Sequence, residues 1–256
     1  MTMSALIETA QEGQVQVLTL GNGVAHPLSL AMIAALHEAI DAAAADAGTN
    51  VIVLHGPGKI FCAGHDLKEI ARHRSEPDHG RAYLEELFTA CGQMMMAITM
   101  SPKPVIAICE GIATAGGLQL LASCDLAYAS PGATFCLPGV VNGGFCTTPA
   151  VAVSRAVGRK QVMELALSGT PVNADWALSA GLINRILPEN ELMPFVMDFA
   201  KTLASRHQKA VGDGKQALYR QLDMPLAEAY DHATGVMIGH FMDSERIARD
   251  LEKWAR

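Results

Sequence analysis

The chain has 256 residues, of which 50% are apolar and 18% charged, with a formal net charge of −7. That length suits one domain of ordinary size or a domain with an appendage, and the apolar content suffices for a large core. The acidic balance excludes the basic face by which nucleic-acid binders usually meet phosphate, and the low charge fraction points to surface hidden in an oligomer.

Residues Met1 to Glu8 lack the basic and apolar regions of a signal peptide, and no apolar run approaches the length of a membrane span. Cys62, Cys91, Cys109, Cys124, Cys136 and Cys146 contain no CxxC pair and lie mostly in apolar contexts. They read as buried thiols in a reducing compartment rather than a disulfide or zinc framework. A soluble cytoplasmic protein with no membrane partner is expected.

Val15 to Leu20 alternates as a strand and runs into Gly21-Asn22-Gly23. Ser29 to Ala45 is Ala-rich with Leu30, Ile33, Leu36 and Ile40 at helical spacing, and Ser29 is placed to cap that helix. Asn50 to His55 is a short buried strand ended by Gly56-Pro57-Gly58. A small-residue turn, Phe61-Cys62-Ala63-Gly64-His65-Asp66-Leu67-Lys68-Glu69, follows, and then a loop-like polar segment holding Arg72, His73, Arg74, Asp78 and His79. Glu85 to Met100 reads as a helix stopped by Ser101-Pro102-Lys103-Pro104, and Val105 to Cys109 as a buried strand. A second small-residue turn, Gly111 to Gly117, leads into a helix over Leu118 to Ser123, with short strands at Leu126 to Ala129 and Thr134 to Leu137. Strands alternating with helices imply parallel pairing, and the order recurs in weak form about once per fifty residues. After Pro188 only helical patterns remain, over Glu191 to His207, Lys209 to Gln221 and Leu226 to Trp254. Two regions are expected: an α/β core over 1–188 and a helical appendage over 189–256.

Each of the two turns follows an apolar strand and opens into a helical pattern. Such turns expose backbone N–H groups at a helix N-terminus, where the dipole favours negative charge. Two of them facing one point would polarise a carbonyl oxygen. The first turn is equally readable as an ordinary strand-to-helix connection capped by Asp66. Neither turn has the G-x-G-x-x-G spacing of a dinucleotide site, and no G-x-S-x-G nucleophile elbow occurs.

Taken together with Ser123-Cys124-Asp125-Leu126-Ala127, the paired turns resemble the crotonase (enoyl-CoA hydratase/isomerase) superfamily from end to end. The resemblance implies a spiral of repeated ββα units with a helical C-terminal region for oligomerisation, as a homotrimer or a dimer of trimers. It implies an acyl-CoA thioester as ligand, a place in fatty acid metabolism, no metal, and no cofactor beyond the coenzyme A of the substrate. The amides of His65 and Gly116 match the family's pair of oxyanion donors, and Ala63, His65, Asp66, Leu67 and Lys68 match the lining of the acyl-CoA site. Gln119 and Gly139 stand where the hydratases of the family carry two glutamates. Gln119 can orient a water but cannot usefully take a proton near neutral pH, and Gly139 supplies no side chain.

Pro138-Gly139-Val140 and Phe145-Cys146-Thr147-Thr148-Pro149 resemble a subgroup of the family that shares this glutamine, glycine and Phe-Cys-x-Thr-Pro loop. Cys146 reads as a nucleophile or as a buried inert thiol. The His65 ring reads as a substitute proton-transfer group or as packing. Leu251-Glu252-Lys253 reads as a contact to the CoA phosphates of a neighbouring subunit or as a solvated helix end. The resemblance implies a lyase or isomerase that stabilises a thioester enolate, suited to decarboxylation or isomerisation rather than ordinary hydration. A non-catalytic acyl-CoA-binding regulator is the alternative.

Overall fold

The computed structural model describes residues 5–254, which form two compact units dividing between Ala204 and Ser205. The division falls one helix later than the 188/189 boundary expected from the sequence.

The first unit is built on two sheets. The larger holds β1 (Ile7–Glu12), β2 (Val15–Leu20), β3 (Val51–Gly56), β5 (Val105–Cys109), β7 (Leu126–Ala129) and β10 (Arg185–Ile186), in the order β1-β2-β3-β5-β7-β10. β1 pairs antiparallel with β2 as a hairpin turning at Gly13, and all the other pairings in this sheet are parallel. The smaller sheet has the order β4 (Ile60–Cys62), β6 (Ile112–Thr114), β8 (Thr134–Cys136) and β9 (Val172–Asn173). β4, β6 and β8 run parallel, and β9 closes the sheet antiparallel. Each repeat therefore gives its first strand to the large sheet and its second to the small one: β3 with β4, β5 with β6, β7 with β8. The interval from Val51 to Val105 matches the expected period. The interval from Val105 to Leu126 is less than half of it, because one short helix, α4 (Gly116–Ser123), makes that crossover.

Side-chain alternation along the large sheet divides the core in two. Leu18, Leu20, Ile52, Leu54, Val105, Ala107 and Cys109 face a cluster shared with α1 (Leu30–Ala45), α3 (Arg81–Met100) and α4. Val15, Val17, Val51, Val53, Ile106, Ile108 and Tyr128 face the other way, onto Leu192, Val196, Met197, Ala200 and Ala204 of α8 (Glu189–Ala204). Burial on both faces explains why these strands read as continuous apolar runs. β1 escaped the sequence reading because it has the opposite character: all but one of its residues are exposed.

Polar side chains fix the ends of the elements. Ser29 Oγ accepts the Met32 N–H (3.1 Å) at the start of α1, and the Lys103 ammonium donates to the carbonyls of Ala43 (2.7 Å) and Asp46 at its end. Asp125 Oδ2 accepts the Val105 N–H (2.7 Å) where β5 begins, while the Asp125 N–H donates back to the Val105 carbonyl (2.9 Å). The polar segment after the first turn is partly helical, as α2 (Leu67–His73), and the His73 ring stacks on Tyr83 of α3 at 3.9 Å.

The second unit contains α9 (Gln208–Gln221), α10 (Leu226–Phe241) and α11 (Ser244–Trp254). The single helical pattern read over Leu226 to Trp254 breaks at Met242–Asp243, where Asp243 Oδ1 accepts the N–H groups of Glu245 and Arg246 and starts a new helix. Leu222, Leu226, Tyr230, Met237, Ile238, Phe241 and Met242 are exposed on this unit.

Two substitutions test this account by urea unfolding. Ser29→Ala removes the α1 cap and is expected to cost about 1 kcal/mol. Gly92→Ala, inside α3 where an added Cβ meets nothing within 4 Å, is expected to stabilise by about 0.5–1 kcal/mol.

Candidate functional site

Three segments leave the carboxyl ends of the parallel strands of the small sheet. Ala63 to Asp66 follows β4, Ala115 to Gly117 follows β6, and Leu137 to Cys146 follows β8. Cys62 pairs with Ala113 and Thr114 with Cys136, so register alone brings the three connections to one edge. Ligand sites of open α/β sheets form at such edges.

The first two turns touch through missing side chains. Gly64 has φ +83°, and a Cβ on it would lie 2.8 Å from the Gly116 nitrogen and 3.0 Å from the Ala115 Cβ. A Cβ on Gly117 would lie 1.9 Å from the Cys62 carbonyl oxygen, so only glycine lets α4 begin here. Leu28 pins the first turn, with its N–H on the Gly64 carbonyl (2.8 Å) and its carbonyl accepting the Asp66 N–H (3.2 Å). Ala115 holds the second turn at φ 50°, ψ −119°, sparsely populated for a residue with a side chain, while its N–H donates to the Cys136 carbonyl (3.0 Å).

Among the described residues, the N–H groups of His65 and Gly116 donate to no acceptor in the chain. Gly116 is the first residue of α4, so its free N–H belongs to the positive end of that helix. Asp66 has the capping role that the sequence allowed: its Oδ1 accepts the N–H groups of Lys68 (2.9 Å) and Glu69 (3.2 Å). Leu67 and Lys68 are exposed at the start of α2, and Ala63 is half-buried.

Two side chains at the meeting of the turns hold polar atoms without partners. The His65 ring meets Phe88 of α3 edge to face at 5.0 Å, and its Cε1 would lie 3.4 Å from a Cβ on Gly116. His65 Nε2 is buried and unpartnered. Burial alone pushes this imidazole down to about 4, so the ring is neutral at physiological pH. Gln119 lies one helical turn beyond Gly116 and is 4% exposed. Its backbone serves α4, with its N–H on Ala115 and its carbonyl accepting Ser123 Oγ (2.8 Å), while its side-chain Oε1 has no partner.

Gly139 lies in the third segment, within a 3-10 turn over Pro138–Asn142. A Cβ there would lie 2.5 Å from the Cys146 nitrogen and 2.7 Å from the Phe145 carbonyl carbon. The backbone returning at Phe145–Cys146 thus fills the place of a side chain. Gly139 N–H also donates to Cys146 Sγ (3.2 Å), and burial raises that thiol above its ordinary value. This is the inert-thiol reading of Cys146. All six cysteines are buried, and none forms a disulfide.

Phe88 and the backbone of Leu28 belong to the site but carried no sequence signal, because both reach it only through tertiary packing. One cluster elsewhere has metal-like composition: ligand atoms of His207, Asp243 and Glu245 lie within 4.8 Å of one another. His207 Nδ1 accepts the Ala210 N–H (3.3 Å), and its Nε2 lies 3.8 Å from Asp243 Oδ1 and 4.0 Å from Glu245 Oε2.

Two measurements follow. Gly139→Ala is expected to destabilise by about 1–3 kcal/mol through overpacking against Cys146, read as a lower urea midpoint. The folded-state value of His65 lies below its unfolded value of 6.5. Its contribution to stability is therefore complete above pH 6.5 and is lost progressively as pH falls towards about 4. Imidazole NMR titration should find the ring neutral at pH 5, and a ring protonated near pH 6.5 would contradict the burial argument.

Comparison with known proteins agrees with this architecture. A family profile described as enoyl-CoA hydratase/isomerase matches residues 10–255. The rat enoyl-CoA hydratase domain-containing protein 3, mitochondrial, is 40% identical over 234 residues, covering 91% of this chain and 76% of that protein. Its human counterpart is 41% identical over 211 residues, covering 82% and 68%. A solved structure of an enoyl-CoA hydratase/isomerase family protein from Silicibacter pomeroyi superposes with a TM-score of 0.89 at 58% identity, covering 93% of this chain and 99% of that one. The human domain-containing protein 3 superposes with a TM-score of 0.90 at 37% identity, covering 97% and 98%. The vertebrate relatives are named as mitochondrial, which overturns the cytoplasmic placement expected from the sequence. No described helix is long and apolar enough to cross a membrane. With the same spiral of paired strands and a profile match over nearly its whole length, the chain belongs to the enoyl-CoA hydratase/isomerase family.

Proposed function

We propose that this protein binds acyl-CoA thioesters and polarises the thioester carbonyl with the N–H groups of His65 and Gly116. The observation that carries this reading is the pair of unengaged amides on two turns locked together by glycine contacts. Each such donor is worth about 3 kcal/mol to a developing oxyanion in comparable sites. Ala63 and the backbone from His65 to Lys68 would line the bound thioester, with Gln119 and the Gly139 loop along its acyl end. The names of the vertebrate relatives support a mitochondrial setting.

Hydration of an enoyl thioester needs a base for water and a proton for the α-carbon. Neither Gln119 nor Gly139 supplies one, and each missing acid–base group removes roughly 10²–10⁴-fold. The second reading, a non-catalytic acyl-CoA-binding regulator, draws on this same deficit. For assembly, the apolar residues exposed on α10, including Met237, Ile238 and Phe241, support burial against further copies of the chain as a trimer or a dimer of trimers.

Calorimetry with butyryl-CoA should give binding that free CoA reproduces only in part. Gly116→Pro deletes one donor and crowds Leu28 and the Gly64 turn, and should weaken butyryl-CoA more than CoA in protein shown to be folded. Absence of binding at millimolar concentration refutes the reading. Crotonyl-CoA hydration, followed by enoyl absorbance, should run at least about 10⁴-fold slower than in relatives with both carboxylates. Light scattering should report a mass near three or six chains, and a monomer at micromolar concentration would refute the assembly.

A further inference from the structure

Two Asn-Gly pairs occur in the chain, Asn22-Gly23 and Asn142-Gly143. A glycine has no side chain to shield its backbone nitrogen, which can attack the side-chain amide carbon of the asparagine before it. Asparagine is thermally labile through this reaction. How fast a given pair reacts depends on how firmly the fold holds the two groups apart. Asn22 is half-buried, with its Nδ2 donating to the Pro27 carbonyl at 2.8 Å and the Gly23 N–H donating to the Gly21 carbonyl at 3.1 Å. Leu28, the residue after Pro27, is bonded to the first turn, so this tether has a fixed anchor.

Asn142 has no comparable hold. It ends the 3-10 turn over Pro138–Asn142 and is exposed together with Val141, Gly143 and Gly144. Its Nδ2 reaches the Pro138 carbonyl only at 3.4 Å. The Gly143 N–H is shared between the Gly139 and Val140 carbonyls, the latter at 3.4 Å. Contacts of that length lie beyond the ordinary range for N–H···O, and 3-10 turns make poor hydrogen bonds. Gly143 has φ +77°, and a Cβ there would meet nothing within 4 Å, which leaves that side of the pair open.

We propose that Asn142 is a site of spontaneous deamidation, with water as the reactant, and that the reaction places an acid in the third segment of the candidate site. From Leu137 to Cys146 the chain otherwise contains none. The inference does not depend on the acyl-CoA reading above.

Hydroxide removes the Gly143 amide proton, and the nitrogen pair forms a bond to Asn142 Cγ. The Cγ–Nδ2 bond breaks, the leaving nitrogen takes a proton from water, and ammonia departs from a five-membered imide. Water then opens the ring. Attack at Cγ restores the ordinary peptide link with an aspartate side chain. Attack at the main-chain carbonyl leaves the peptide running through the side chain, as isoaspartate. The net change consumes one water and releases one ammonia, with no oxidant or metal. Both products carry a carboxylate at position 142. The isoaspartyl form also adds a carbon to the backbone inside the turn that the Gly144 N–H closes on the Gly139 carbonyl at 2.9 Å. That turn delivers Phe145 and Cys146 against Gly139, so the isoaspartyl form loosens this packing and the aspartyl form leaves it in place.

The test incubates the purified full chain in mildly alkaline buffer at body temperature and follows both asparagines by peptide mapping with mass spectrometry. Asn142 should convert about tenfold faster than Asn22, as one well-made hydrogen bond implies, and its rate should rise with pH. In urea, where neither pair is held, the two rates should converge. Asn142→Gln should abolish the change in the peptide that contains position 142. If Asn142 keeps its amide as long as Asn22 does, the inference is overturned. If its lead persists unchanged in urea, the structural cause assigned to it is overturned. The aspartyl and isoaspartyl forms are then separated by ion exchange, and the isoaspartyl form is identified by enzymatic methylation of its carboxylate. Asn142→Asp should keep the urea midpoint of the unmodified chain, and the isoaspartyl form should lower it. Equal midpoints for these two would overturn the loosening at Gly139 and leave the modification site standing.

Discussion

Everything at the site depends on two backbones coming closer than side chains permit. The Cys62 carbonyl occupies the space of a Gly117 side chain, and the Gly116 nitrogen borders the space of a Gly64 side chain. This contact places the start of α4 beside the first turn and leaves two amides without acceptors. It also explains why Ala115 can hold an unfavourable conformation, at a cost of about 1–3 kcal/mol. The Cys136 carbonyl fixes it from one side and the Gly64 turn from the other, so the strain cannot relax without parting the sheet.

The two sheets divide the labour. The large sheet has apolar side chains on both faces and supplies most of the burial, each fully buried Val, Leu or Ile contributing about 1.5–3 kcal/mol. The small sheet adds Phe61, Cys62, Ala113 and Phe135 to the main core, and the connections leaving three of its strands meet at the candidate site. α8 sits on the far side of the large sheet, away from the face that α1, α3 and α4 cover. Changes in α8 should therefore be felt as stability before they are felt at the ligand.

Much of this was legible in the sequence. The central strands, the Ser29 cap and the two turns announce themselves through apolar runs, a capping residue and clustered glycines. These are local signals, and the sheet later confirms them by register. What stayed hidden was of two kinds. The β1 strand is exposed and has no alternation, and the break at Asp243 is one capping residue inside a long helical pattern. The other kind is spatial: Phe88 against His65, the orphaned Nε2 and Oε1, and the crowding at Gly139. A glycine in a sequence reads as empty space. Here the returning chain at Phe145 and Cys146 has already taken it. Compartment was misread because the N-terminal residues carry no positive signal, and the absence of one pattern says little about any other route.

The crowding at Gly139 acts as an evolutionary ratchet. In an open position, one codon change could introduce a charged side chain at little structural cost. In this chain any such change first drives a Cβ into the Cys146 nitrogen, so the first step costs stability. Accommodating a side chain requires the returning backbone at Phe145 and Cys146 to move beforehand. Until the loop moves, packing alone keeps this position free of any side chain.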